Sequence, residues 1–318
     1  MRYFGLCPGS CGELVQGFIG EREYLASYGI PFFSTAEIES SKIPIMGPRK
    51  SREVMEKAFE HFGYDKKETR NYSLRIKSNI PRGKGMASST ADIGATLGAV
   101  SQLLQVDIDE KLASSLAASV EPTDSIFYRD INIFDPLKGE TIEILGFIEG
   151  LKVLMIEPKD TLNTLLLRSQ ADYMEKKIKN IPHMEEVFEE LKVAFKTSNK
   201  KLLGKACTKS SLLNEVIHQK KYLEKIIEIS EKSGVLGVNV AHSGTVIGIL
   251  MNENHDSKEI ETKIREIDSE KYYKYYTTLN VIKGGIKSAH GEDNPFAHKL
   301  KGGGLPNGIY KKSYGNRK

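Results

Sequence analysis

The segment Pro81-Arg82-Gly83-Lys84-Gly85-Met86-Ala87-Ser88-Ser89-Thr90-Ala91-Asp92 sets a proline, two glycines and a lysine before two serines and a run of small residues. Glycine lets a backbone turn tightly and approach a ligand closely. A helix starting at the serines offers unpaired N–H groups and the positive end of its dipole to an anion. The chemistry these residues suit is phosphate binding. The segment is not a Walker A loop, because no Gly-x-x-x-x-Gly-Lys-[Ser/Thr] can be read in it. Nor is it a dinucleotide fingerprint, because Ser88 stands where the third glycine belongs. The plain structural reading is a capping box formed by Ser89 and Asp92, although capping does not call for the proline-glycine-lysine lead-in.

Three other segments are rich in glycine or short polar residues. Cys7-Pro8-Gly9-Ser10-Cys11-Gly12-Glu13-Leu14 reads as a tight turn between strands, bare or with Ser10 and Glu13 facing a substrate. Glu121-Pro122-Thr123-Asp124-Ser125 places two carboxylates three residues apart around a proline. Asp124 could accept a proton from a hydroxyl and Glu121 could bind magnesium, or both acids could stand exposed in a polar turn. Gly237 to Thr245 sets small residues between two apolar strands, for close approach to a ligand or merely for a hairpin. His242, within it, is expected to order the turn by hydrogen bonding rather than to titrate in catalysis.

These segments need elements to position them. Tyr72 to Ile76 alternates with period two and leads into the glycine loop. After the loop Ile93, Leu97, Val100 and Leu104 recur at helical spacing, with Ala91, Gly94, Ala95 and Gly98 allowing close packing. Strand-like segments are Tyr3–Leu6, Leu14–Phe18, Phe32–Ile38, Ile131–Phe134, Thr141–Leu145 and Val153–Ile156. Helices are expected over Arg49–Phe62 and Asp109–Val120, and a domain boundary near Pro158–Thr161. Beyond it, helices over Glu185–Thr197, Lys200–Glu215 and Tyr222–Lys232 precede strands Leu236–Ala241, Val246–Met251 and Tyr275–Lys283. The tyrosines at 272, 273, 275 and 276 suit an edge strand with one buried face better than a surface that stacks on bases. The last 30 or so residues, with few large apolar groups, read as a mobile tail.

Composition narrows the class. A chain of 318 residues can hold two domains, and 39% hydrophobic with 28% charged residues describes a soluble globular protein. A net charge of +4 with interspersed signs does not suggest nucleic-acid binding outside the C-terminal tail. No apolar run reaches membrane-spanning length and the N-terminus does not read as a signal peptide, so a cytoplasmic location is the default. Three cysteines make no disulfide framework, and Cys7 and Cys11 are expected as small structural residues rather than metal ligands.

Together the four segments resemble the GHMP kinases. That superfamily's N-terminal Pro-Gly motif, phosphate loop and C-terminal glycine-rich motif correspond to Pro8–Leu14, Pro81–Ala91 and Gly237–Gly244, in order. Met86, Ala87 and Thr90 depart from its leucine, glycine and alanine, and Ala241-His242-Ser243-Gly244 replaces a longer glycine run. Those departures, with Glu121–Ser125, are similar to the L-threonine kinase branch, whose phosphothreonine feeds the aminopropanol linker of cobalamin. The resemblance covers residues 5 to 287. It implies an α+β, two-domain fold: residues 1–158 with a left-handed βαβ crossover, against the usual hand, and a ferredoxin-like 159–287. Residues 288–318 would be a flexible tail, and ATP would lie in the cleft between the domains.

The resemblance also implies roles. Pro81, Gly83, Lys84, Gly85, Met86, Ala87 and Ser88 would cradle ATP phosphates, with Lys84 adding positive charge as a catalytic group. Ser89 would reach Mg2+, and Asp124 would be the general base toward L-threonine. The superfamily's magnesium-binding glutamate lies about ten residues earlier, where this chain has Ala113-Ser114. That leaves Glu121 as a substitute, or Ser89 with phosphates and water alone. Homoserine kinases work without the aspartate base. Glu13 would pair with the substrate ammonium, with Ser10, Gln16, Ser243 and Gly244 as further substrate-binding candidates, and Arg129 or Arg168 would take the carboxylate. A homoserine kinase or another small-molecule kinase of this superfamily is the neighbouring reading, and a non-catalytic ATP-binding regulatory module a more distant one. Oligomeric state is left open.

Overall fold

A computed structural model describes residues 1–160 and 173–301. Its spine is a hairpin of two long strands, β1 (Arg2–Ile19) and β2 (Arg22–Ser40). Nearly all their residues are buried, as in strands covered on both faces. Cys7–Leu14, expected as a tight turn, is instead the middle of β1. The register against β2 slips between Pro8 and Gly9, Ser10 and Glu13, and Glu13 and Val15. The extra residues bulge out while both flanks keep pairing. Gly12, at φ 67°, takes a backbone conformation that side chains disfavour.

On one side of the hairpin β3 (Tyr72–Ser78) pairs with β2, from Ser34 opposite Ser78 to Ser40 opposite Tyr72. Helix α1 (Arg49–His61) precedes β3, and α2 (Ser88–Leu104) follows it and lies across β1 and β2. The close packing expected of α2 is present: a Cβ on Gly94 would stand 2.7 Å from the Cys7 sulfur. Helix α3 (Glu110–Ala118) leads to β4 (Ile131–Asp135) and β5 (Glu140–Gly146), and β4 meets β2 at Leu25 opposite Phe134.

The second half runs β6 (Leu151–Pro158), α4 (Tyr173–Lys179), α5 (Ile181–Lys196), α6 (Lys200–Asn214), α7 (Leu223–Lys232), β7 (Gly237–Val240), β8 (Ile247–Asn252), α8 (Ser257–Ile267) and β9 (Tyr273–Asn280). Its strands lie in the order β7-β8-β6-β9, all antiparallel. With helices between β6 and β7 and between β8 and β9, this is the βαββαβ ferredoxin-like arrangement. It requires β6, so the boundary expected at residue 158 is misplaced. Strand β6 pairs with β8 on one edge and β9 on the other, and the division falls between β5 and β6. Pro158 and the polar residues after it end a strand of the second half. Strand β9 ends the sheet with Tyr273, Thr277 and Leu279 buried, as an edge strand with one face covered.

The halves share one sheet, joined where Glu13 of β1 lies opposite Val240 of β7. The expected tail is also corrected in part. Residues Lys287–Gly291 form β10 along the free edge of β1, and Ala297–Leu300 makes a short 3-10 turn whose last carbonyls face the Asn79 amide. Backbone pairing on an open edge needs no large apolar side chains, which is why composition hid it. The remainder of the expected tail lies outside the described residues. The larger core lies around β1, β2 and α2, and a smaller one, including Leu154, Ile156, Ile226, Ile249, Ile260 and Ile264, lies under α7 and α8. No described helix is long and apolar enough to cross a membrane.

Candidate active site

Between β3 and α2 the backbone alternates its hand. Gly83, Gly85 and Ala87 have φ of 69°, 76° and 55°. Such alternation turns successive N–H groups toward one concave side, where an anion binds. Ala87 is the N-cap of α2, in the left-handed conformation and without a side-chain cap. The first-turn N–H groups are thus left without the cap that the Ser89–Asp92 box would have supplied. That box does not form. Asp92 turns inward, accepting from Ser34 Oγ at 2.5 Å and from Arg82 at 3.1 Å, while Ser89 Oγ donates to Glu121.

The loop is clamped by the other glycine-rich segments. Ser10 N donates to the Met86 carbonyl (3.2 Å), and Thr245 N and Val246 N donate to that of Lys84 (2.9 and 3.1 Å). A Cβ on Gly85 would stand 2.4 Å from that of Ala241, and one on Gly244 would stand 2.3 Å from the Lys84 oxygen. Gly244 is therefore a packing residue for the loop rather than a group presented to substrate. The Met86 side chain is buried in the core.

Lys84 does not point where phosphate charge was expected. Its ammonium, with the residue 5% exposed, donates to the carbonyls of Pro158 (2.6 Å), Lys159 (3.3 Å) and Asp160 (2.5 Å) and lies 3.6 Å from Glu157 Oε1. Burial pulls its pKa down while the Glu157 charge holds it up. A lysine with three rotatable donors that meets three carbonyls is a tether between the loop and the end of β6.

Glu121 reaches the start of α2. One carboxylate oxygen accepts from Ser89 Oγ and the other pairs with Lys50 Nζ, which also lies 3.4 Å from Ser89 Oγ. Thr123 adds a hydroxyl contact to Thr90 at 3.4 Å. A carboxylate and a hydroxyl beside a phosphate-binding helix start are the hard oxygen donors magnesium takes. Lys50 supplies the positive charge this pair meets. Its position in the first turn of α1 carries no sequence signal linking it to Ser89, and the reading of the sequence missed it.

Asp124 is buried, and one of its oxygens accepts from Ser125 N at 2.7 Å. Burial first, then the charge of Glu13, raise its pKa from 3.8 to about 7. The hydroxyls of Ser10 and Ser27 face the carboxylate and favour its charged form, and neither makes a direct hydrogen bond among the described residues. Glu13 Oε2 accepts from His242 N (2.9 Å) and faces His242 Nδ1 at 3.2 Å. His242 Nε2 lies 3.1 Å from Ser210 Oγ, which accepts from Gln16 N at 3.2 Å. Ser210 thus donates to Nε2, and the Nδ1 proton lies toward Glu13. Burial lowers the His242 pKa, so the ring is neutral and orients Glu13. The bulge bearing Glu13 is pinned to β7 by Asn239 Nδ2, which donates to the carbonyls of Cys11 (2.7 Å) and Glu13 (3.2 Å).

The other candidates divide. Gln16 gives its amide to Glu23 at 2.8 Å and keeps a buried carbonyl oxygen without a partner among the described residues. Ser243 is half-buried in the turn beside His242. Arg129 is exposed, and its guanidinium makes no hydrogen bond or ion pair among the described residues, so it does not join the Glu13–Asp124 cluster. Arg168 lies outside the described residues. Cys7 and Cys11 are buried thiols whose pKa values burial drives up.

The chain is similar to known proteins in sequence and in fold. The profile described as GHMP kinases N terminal domain matches residues 50–127, and that of GHMP kinases C terminal matches residues 191–269. An L-threonine kinase of Citrobacter freundii is 31% identical over 293 residues, spanning 88% of this chain and 98% of its own. One from Salmonella typhimurium is 30% identical, over 88% and 94%. The mevalonate kinase of Methanococcus jannaschii superposes with a TM-score of 0.68 over 88% of this chain and 98% of its own, at 18% identity, a likeness of fold.

Proposed function

The chain belongs to the GHMP kinase family and is an ATP-dependent small-molecule kinase; from that premise we propose that its acceptor is L-threonine, which it converts to O-phospho-L-threonine for the aminopropanol linker of cobalamin. The observation that carries this reading is the buried Glu13–Asp124 pair behind an uncapped helix start: one carboxylate for an ammonium, one for a hydroxyl proton.

Phosphoryl transfer asks the protein mainly to position reactants and balance charge. The N–H groups from Gly83 to Ser89 hold the triphosphate. Ser89 and Glu121 would hold Mg2+, which supplies neutralising charge on the phosphate oxygens. Glu13, oriented by His242, accepts hydrogen bonds from the threonine ammonium. That ammonium screens the Glu13 charge that helps raise the Asp124 pKa, so substrate binding favours the ionised base. Asp124 then takes the hydroxyl proton as the threonine oxygen bonds to the γ-phosphorus and the bond to the β–γ bridging oxygen breaks, releasing ADP. A base whose pKa lies near the working pH suits this step.

The test is product analysis with ATP, magnesium and a panel of threonine, serine, homoserine and mevalonate. Threonine should give the highest kcat/KM. Phosphate appearing on homoserine or mevalonate but not on threonine would overturn the acceptor assignment.

A further inference from the structure

Resting on that reading, a candidate for the group that holds the substrate carboxylate lies in the connection between α6 and α7. Lys220 is 6% exposed. Its backbone is fixed at both ends: Lys220 N donates to Glu215 Oε1 at 2.8 Å and its carbonyl accepts from Leu223 N at 3.1 Å. Its ammonium reaches one oxygen, the His218 carbonyl, at 3.3 Å, and makes no ion pair among the described residues. The neighbouring Lys221, by contrast, pairs with Glu270 at 2.5 Å.

A buried ammonium with one weak contact lacks an anion, since buried charges persist when paired. The charges that act on Lys220 are those of Glu215 and Glu13, and its own charge acts on His242 and His218, so it lies within electrostatic range of the Glu13–His242 pair. Burial brings its pKa down to about 7 despite those two carboxylates. His218 also ties this connection to the active-site turn, through Nε2 at 3.1 Å from the Gly244 carbonyl. The Glu13 carboxylate and the Lys220 cation, which has no ion pair among the described residues, match the two charges of an α-amino acid, which brings an ammonium and a carboxylate.

We propose that Lys220 binds the α-carboxylate of the substrate and so makes the enzyme selective for amino-acid alcohols over simple amino alcohols. The test compares threonine with 1-amino-2-propanol, which is threonine without its carboxylate and keeps the ammonium and hydroxyl. In the wild type, removing the carboxylate should lower kcat/KM by roughly 30-fold, the scale of a hydrogen bond to a charged group. In Lys220→Met and Lys220→Gln the two substrates should differ by less than about threefold, with the KM for ATP unchanged. A second measurement needs no variant. At pH 8, binding of threonine but not of 1-amino-2-propanol should take up a proton, read from the dependence of binding enthalpy on buffer. Both ligands bring an ammonium, so proton changes at Asp124, Glu13, Glu215, His218 and His242 caused by that group cancel in the comparison. Variants that keep the wild-type discrimination, or equal proton uptake with both ligands, would overturn the assignment of Lys220. A wild type that does not phosphorylate threonine would overturn the threonine reading itself, and this inference with it.

Discussion

Replacing Asp124 by asparagine should stabilise the protein and remove its turnover together, because one buried charge is responsible for both. The carboxyl is raised from 3.8 to about 7 in the folded protein, by burial and by Glu13. In the unfolded chain it loses its proton near the lower value. Between the two values the native state therefore binds more protons than the unfolded one, and stability falls as pH rises through that window. The difference corresponds to about 4 kcal/mol lost by pH 8. Asparagine has the same shape, can still accept from Ser125 N, and carries no charge. It adds an NH2 group, for which the Ser10 and Ser27 hydroxyl oxygens are the nearby acceptors. Relative to wild type, Asp124→Asn should be nearly neutral at pH 4, gain through pH 4–7, and level off about 2–4 kcal/mol more stable above pH 7. Without its base, kcat should drop by about 10²–10⁴ while the KM for ATP stays. Urea denaturation of both proteins at pH 4, 6 and 8, with steady-state kinetics at pH 8, measures the two effects separately. A stability difference that does not change between pH 4 and 8 would refute the raised carboxyl. An unchanged kcat would refute the base.

Lys84→Met should lower stability by roughly 3 kcal/mol, seen as an earlier urea midpoint, because it takes a buried ammonium from beside Glu157 and the donor from three carbonyls; a raised KM for ATP with unchanged stability would return Lys84 to the phosphates. Ala87→Gly should raise stability by about 0.5–1 kcal/mol in the same assay, the relief of a left-handed alanine less the extra entropy of glycine in the unfolded chain; a loss would contradict the left-handed start of α2. Glu121→Gln should raise the magnesium concentration for half-maximal activity about tenfold or more, and an identical magnesium titration would sink its role as a ligand.

The parts of the site legible in the sequence were those made by backbone. Glycines and short polar residues marked the loop at 81–89 and the segments at 7–14, 121–125 and 237–244, and these four do come together. The parts that could not be read depend on where long side chains go. Lys84 is a point charge on a flexible stem, and nothing local says that its partners are the carbonyls ending β6. The Ser89–Asp92 pattern met the rule for a capping box, yet Ser34 and Glu121, distant in sequence, claimed both side chains. In the fold, Pro8, Gly9 and Gly12 carried the marks of a turn, because bulges and turns draw on the same residues. Only the continued pairing of both flanks with β2 shows which of the two forms. The domain boundary failed for a related reason, since β6 is assigned by its neighbours across the sheet rather than by the residues that follow it.

The pairing of β1 bears on how the chain is made. One edge of this first strand is served by β2 at once. The other waits for Val240 and then for β10, with Arg2 opposite Gly291. At roughly 5–20 residues per second, a ribosome leaves that edge unpaired for on the order of tens of seconds. During that time a long strand of high burial stands as a template for other strands. The nascent protein therefore passes through an interval in which it depends on chaperones or on low concentration, and the interval closes when β10, the last strand among the described residues, zips onto the first.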